Sequence, residues 1–439
     1  WGRRAPWLIF YIVCYACTSF LVYHPTAWSG IVQVGAGASA ASCGGGTNLT
    51  SCKILVERTS QGSGPALQIG RLEIYYLITF CLQMCSQAGV FNAFFGVFPE
   101  MYRNPMDRAK AGAILGVFNG VSGTICVTVI SFLFVRDKIN LTGIVILNVV
   151  PLLVFSWPGI SESRNAKFKH ARPTIKCAEI LELFKQKSAL IYLMSSLLHY
   201  GGATLNAMFA LFWLTRVAGT CMQEAGALVA VAGLAQLMLG VLTLPFWKWV
   251  IVNKKIHPRK IVCILYICLA LVAFVCGQTR HKAVFVPIAA VKGMMFSVNN
   301  LSNRMFVGWI VDDDMVRRFK RDGSIIRREA FIQGVSGWAI TGGYFLGGLM
   351  TTLLGMVGYN GSLPTRCLSN VSVEYIHFVF VAFSCIVFVL RGVLILFFPI
   401  YGLKLKEMEM NVLDIEKELK AKRISPFTEI ELSDTNDAD

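Results

Sequence analysis

The sequence predicts an all-α polytopic membrane protein, and three observations carry the prediction. Of 439 residues, 55% are hydrophobic and only 15% charged, too little polar surface to cover a soluble core of this length. The apolar residues gather into runs of roughly 20, the length a helix needs to cross a hydrocarbon layer about 30 Å thick. The cations segregate as well. When alternate connections are assigned to opposite sides, 28 Lys and Arg fall on one side and 9 on the other, with four inside the runs. A net charge of +16 distributed in this way marks the richer side as cytosolic and removes the need for a nucleic-acid partner.

Ten spans are expected, at residues 6–23, 73–97, 109–135, 144–157, 188–215, 225–252, 260–277, 283–311, 330–355 and 375–399. The first four form an N-terminal bundle over 1–158. Residues 159–187 are a basic cytosolic connection in which Cys177, Ile180, Leu181 and Phe184 recur at helical spacing, an apolar stripe suited to the membrane or the bundle surface. Residues 188–400 carry six spans. Beyond Tyr401 the chain turns polar, and 401–439 reads as a cytosolic tail with an amphipathic helix over 405–423. Four spans before the connection and six after it suggest two like halves, with two further helices expected ahead of residue 1.

Glycine placement supports the two halves. The third span carries Gly112, Gly116, Gly120 and Gly123, and the ninth carries Gly334, Gly337, Gly342, Gly343, Gly347 and Gly348. Such spacing lets helix backbones approach closely, and the two spans sit six apart, as in a carrier built from internal repeats.

The sequons Asn48-Leu-Thr, Asn140-Leu-Thr, Asn360-Gly-Ser and Asn370-Val-Ser all fall in connections assigned to the exterior, where glycosylation occurs. Of 14 cysteines, Cys43, Cys52, Cys221 and Cys367 lie on that side. They allow two disulfides in three connectivities. No Cys or His spacing suggests a metal site.

Ionisable groups inside a membrane are costly, at least about 2.5 kcal/mol at mid-span, and therefore mark function. On the eighth span Lys292, Phe296, Asn299 and Asn303 share one stripe, with Asn300 and Arg304 on the next. That face is expected to look into a polar cavity, joined by Asn92, Asn119 and His199. Arg391 in the last span either reaches the interface or lines the same cavity. Carboxylates and arginines at helix ends on the cytosolic side (Arg3, Arg4, Glu100, Asp107, Arg108, Asp312, Asp314, Arg328, Glu329) are expected to form ion pairs that open and close that face. No nucleophile elbow, phosphate loop or HExxH occurs, so no enzyme is predicted.

Several ordered motifs resemble the glycoside-pentoside-hexuronide:cation symporters of the major facilitator superfamily. They are Trp1-Gly2-Arg3-Arg4-Ala5-Pro6-Trp7, Pro99-Glu100 with Asp107-Arg108, and Val311-Asp312-Asp313-Asp314 followed by Arg327-Arg328-Glu329. Within that group, Leu244-Pro245-Phe246-Trp247-Lys248-Trp249 before Lys254-Lys255, Gly358-Tyr359 followed by Cys367, and Phe398-Pro399-Ile400 are most similar to the animal sodium-dependent lysophosphatidylcholine symporters.

The resemblance implies a major facilitator fold with ten of its twelve transmembrane helices present here, helices three to twelve. It implies alternating access with Na+ or H+ as the coupling ion and no other cofactor. A lysophospholipid is the expected substrate and a glycoside or hexose the alternative, carried by a monomer in the lipid bilayer. Where cation-coupled relatives carry an acid in helix four this chain has Phe91 and Asn92. That replacement motivates a third reading, a non-transporting receptor or scaffold that keeps the carrier fold.

Overall fold

The computed structural model of the chain describes residues 5–23, 78–79, 82–83, 85–86, 89, 177–323, 329–359 and 368–421. Among these residues all regular structure is helical. In chain order it comprises α1 (Ala5–Tyr23), α2 (Cys177–Lys185), α3 (Lys187–Phe212), α4 (Met222–Val252), α5 (Pro258–Gly277), α6 (Phe285–Asp322), α7 (Glu329–Met356), α8 (Asn370–Leu396) and α9 (Gly402–Ala421).

Five stretches are long and apolar enough to cross a membrane: Glu224–Ile251, Pro258–Gly277, Lys282–Arg321, Gly334–Met356 and Asn370–Leu396. Their outer faces carry large apolar side chains such as Leu242, Val275, Phe345 and Met356, each more than two-thirds exposed. An apolar surface of this extent is compatible with lipid rather than water. The 26 residues of α3 give it a similar reach, but its buried face holds Ser188, Ser195, Ser196 and His199.

Local signals set three of the helix ends. His257 caps α5 by accepting a hydrogen bond from the Arg259 N–H at 3.3 Å, with Pro258 in the first turn. Ser369 caps α8 by accepting from the Ser372 N–H at 3.2 Å. That cap starts the last span at Asn370 rather than 375 and puts the sequon residue Asn370 in its exposed first turn. The sixth helix departs most from the sequence reading. It does not end at 311 but runs on to Asp322, where Gly323 closes it at φ +70°. Asp312 and Asp314 are therefore helical residues and not loop residues. The polar extension is held as helix by i,i+4 pairs, Arg317 with Asp313 at 2.9 Å and Arg318 with Asp314 at 3.8 Å.

In the assembled bundle α4 lies along α6, α3 lies along α7 and α8, and α5 lies along α8 and α6. Small residues set the closest crossings. A Cβ at Gly343 of α7 would stand 2.7 Å from the Gly201 nitrogen of α3, and one at Gly293 of α6 would stand 2.3 Å from the Gln236 carbonyl oxygen of α4. Among the described residues nothing lies within 4 Å of a Cβ placed at Gly348 or Gly334. On α2, Leu183 is the residue turned inward, while Leu181 and Phe184 of the expected stripe face outward. Leu405, Met408, Val412 and Ile415 seat α9 against the core around α6.

Candidate functional site

The interior of the bundle holds a polar cluster assembled from four helices. At its centre is Arg391 of α8, 1% exposed. Its Nε donates to Ser195 Oγ of α3 at 3.3 Å, and its two terminal nitrogens donate to the Tyr266 hydroxyl of α5 and to Asn299 Oδ1 of α6. The guanidinium also lies 4.2 Å from the Tyr266 ring centroid. The Tyr266 oxygen sits 2.8 Å from His199 Nδ1 and 3.3 Å from the Met295 carbonyl.

His199 is fully buried, and edge contacts fix its ring: Phe296 at 4.9 Å, Tyr200 at 5.0 Å and Tyr266 at 5.9 Å between centroids. Two polar atoms of the cluster, His199 Nε2 and Asn299 Nδ2, have no hydrogen-bond partner among the described residues.

About two turns along α3 lies a second layer. Lys292 of α6, 6% exposed, donates to Asn206 Oδ1 of α3 and stands 4.5 Å from the centre of the Phe380 ring of α8. Phe380 stacks on Trp213 at 5.3 Å, and Trp213 donates its indole N–H to His377 Nδ1 at 3.2 Å. Both aromatic residues belong to π-helical turns, Trp213–Val217 and Phe378–Phe383. Such turns are rare and recur where helices are shaped for function.

The predicted face of α6 thus divides. Lys292 and Asn299 point into the bundle and are sealed there, whereas Asn300 and Asn303 are half-buried. Arg304, also half-buried, lies within electrostatic reach of Tyr192 and Tyr200. Arg391 lines the core rather than reaching the interface. Tyr266, Trp213, His377 and Phe380 were not singled out from the sequence; an aromatic residue in a span looks like ordinary core until its partners are known.

Neither Lys292 nor Arg391 has a carboxylate partner among the described residues. The far end of α6 differs. Gln186 donates to Asp314 Oδ1 at 2.8 Å, Ser188 donates to Asp313 Oδ2 at 3.4 Å, and Glu182 of α2 meets Arg318 and Arg321. All three aspartates, 312 to 314, are buried.

A family model described as MFS/sugar transport protein matches residues 63–402. The chain belongs to the major facilitator superfamily. It is an integral, multi-pass membrane protein of a transporter family. No curated protein matches the chain.

Asn92 and Asn119 of the expected cavity lie outside the described residues, as do Arg3, Arg4, Glu100, Asp107, Arg108 and Arg328 of the expected gate. So do Asn48, Asn140 and Asn360. Glu329 opens α7, but its side chain is not among those described. Cys221 is disulfide-bonded; Cys43, Cys52 and Cys367 lie outside the described residues. Among the described residues no group of His, Cys, Asp and Glu is arranged to hold a metal.

Proposed function

We propose that the protein is an alternating-access carrier for an amphiphile with a phosphate in its head, a lysophospholipid. The supporting observation is the pair of buried cations, Lys292 and Arg391, whose partners among the described residues are all neutral. A buried cation without a counter-ion is among the costlier things a membrane protein holds. A substrate phosphate entering between the bundles lowers that cost, and its binding energy is then available to bias the closure that follows.

In this reading His199 and Tyr266 hold Arg391 in position, and Asn206 holds Lys292. The half-buried Asn300, Asn303 and Arg304 face the substrate path. Ion pairs at the Asp314 end close the cytosolic face in one state and part in the other.

The sugar reading has its own support in the family's description and in the Tyr200–Tyr344 pair, 6.3 Å apart, since sugars take stacked rings and hydrogen bonds. Uptake by the full-length carrier in proteoliposomes separates the two, with labelled lysophosphatidylcholine and labelled hexose each assayed with and without a sodium gradient. Saturable uptake of the lysolipid is expected, reduced about tenfold or more in Lys292→Met. Uptake of hexose alone overturns the lipid reading. Binding without flux in the wild type assigns the chain to the receptor class.

A further inference from the structure

Outside the membrane interior the structure holds a cavity of about 250 Å³ between α2 and the polar extension of α6. Lys185, Arg317, Arg318 and Arg321 line it, against the carboxylates Glu182 and Asp314. Counting Asp313, which pairs with Arg317 at 2.9 Å, four cations stand against three carboxylates and positive charge remains in excess. Depth varies within the lining: the Asp314 side chain is 2% exposed and Arg318 10%, Glu182 is 32% exposed, and Arg317 and Arg321 are 49% and 57% exposed. The Asp314–Arg318 pair thus sits at the floor, and the Arg317 and Arg321 guanidinium groups stand at the mouth. Lys185 is exposed at the same mouth and makes no ion pair among the described residues.

Arginine forks at an open cavity suit a phosphoryl group, which accepts several charge-assisted hydrogen bonds at once. The volume exceeds that of a bare phosphate and leaves room for the ring or chain bearing it. The setting matters too. At 100° per residue Leu181 lies beside Lys185 on α2, and Leu181 and Phe184 are 63% and 39% exposed. An apolar pair beside a cationic mouth gives a lipid a place for its acyl chains next to its head.

We propose that this cavity binds the phosphorylated headgroup of an anionic phospholipid, with its chains against Leu181 and Phe184, and thereby clamps the connecting helix α2 to α6. Because α2 lies in the connection and α6 carries Lys292, the lipid acts on the carrier without occupying the substrate site.

The test uses the full chain in nanodiscs of neutral phosphatidylcholine, with and without a minor fraction of phosphatidylinositol bisphosphate, and soluble inositol trisphosphate as a separate arm. The anionic lipid is expected to raise the melting temperature. Lys185→Gln is expected to weaken its apparent affinity about tenfold, as is Arg317→Gln, while Lys406→Gln on α9 leaves it unchanged. Leu181→Ser weakens the lipid but not the soluble headgroup. If trisphosphate alone gives the full shift and displaces the lipid, the phosphoryl site stands but the acyl-chain contact is overturned. If neither ligand binds, or if Lys406→Gln weakens the lipid as much as Lys185→Gln, the attraction is diffuse and the proposal fails. None of these readouts requires transport, so failure here leaves the lysophospholipid reading to its own assay.

Discussion

Two stretches of the same helix treat charge in opposite ways. Toward the Asp322 end of α6, Arg317 meets Asp313, Arg318 meets Asp314 and Glu182, and Arg321 meets Glu182. In the middle of α6, Lys292 has an asparagine and an aromatic ring. Arg391 beside Asn299 has a serine, a tyrosine and an asparagine. In the first region each arginine has a carboxylate, and these pairs fix α2 and α3 against α6. In the second, both cations have hydrogen-bond acceptors but no carboxylate among the described residues, so an incoming anion adds the charge partner that is absent there. Damage to the first region should therefore cost stability, and damage to the second should cost function.

The sharpest way to break this contrast is to remove one partner from the compensated region. Asp314→Ala leaves the Arg318 guanidinium and the Gln186 amide facing a gap, and a loss of about 3 kcal/mol is expected in denaturant unfolding of the reconstituted protein. Arg391→Met removes a buried cation that has no anion among the described residues, so the unfolding free energy should hold or rise while lysolipid uptake falls. Comparable destabilisation by the two variants would erase the distinction.

A pH series probes the Asp314 end in another way. Burial, with Arg259 and Lys260 nearby, lowers the His257 pKa to about 4 from 6.5. Its ring is neutral in the folded protein, stacked on Trp309 at 4.9 Å. Above pH 6.5 folded and unfolded forms bind the same number of protons at this residue. As pH falls from 6.5 toward 4 only the unfolded form takes one up, so stability declines by about 3 kcal/mol across that window. His257→Phe should flatten the slope while keeping the stack.

Tyr266→Phe is expected to cost about 2 kcal/mol, since it deprives Arg391 of an acceptor and His199 of its hydroxyl partner. Uptake should fall more than that loss accounts for if the tyrosine positions Arg391. The smallest effect belongs to the exposed pair Arg280–Glu374, bidentate at 2.7 Å with both side chains about half exposed. Arg280→Ala should change stability by less than about 1 kcal/mol and should matter less still at high salt.

How much was legible beforehand depended on whether the signal was local. His257-Pro258 and Ser369 announce helix starts, Gly323 announces an end, and the glycines of 342–348 announce a close helix contact; each acts within a few residues. The extension of α6 past 311 was missed because four aspartates and four cations within eleven residues look like a loop when read for hydropathy alone. The i,i+4 pairing that keeps it helical was present in the sequence, at 313/317 and 314/318. Lys292, Asn299 and His199 were found because polar residues stand out in apolar runs. Their partners Asn206, Tyr266 and Arg391 could not be assigned that way.

The sequence by itself determined a membrane-embedded helical chain, the approximate limits of the spans that fall within the described residues, a cytosolic side expected from the cations, and motifs that point to its superfamily. Helix length, capping and apolar period all follow from residues within one or two turns of each other. Only the tertiary structure decided that Arg391 is a core residue, that it meets Ser195 at 196 positions' remove, and that Gln186 reaches Asp314 across 128. Those pairings depend on which face each helix turns inward, and that is fixed by small contacts such as Gly343 on Gly201. The same hydropathy pattern is compatible with many rotations of a helix, and packing selects one.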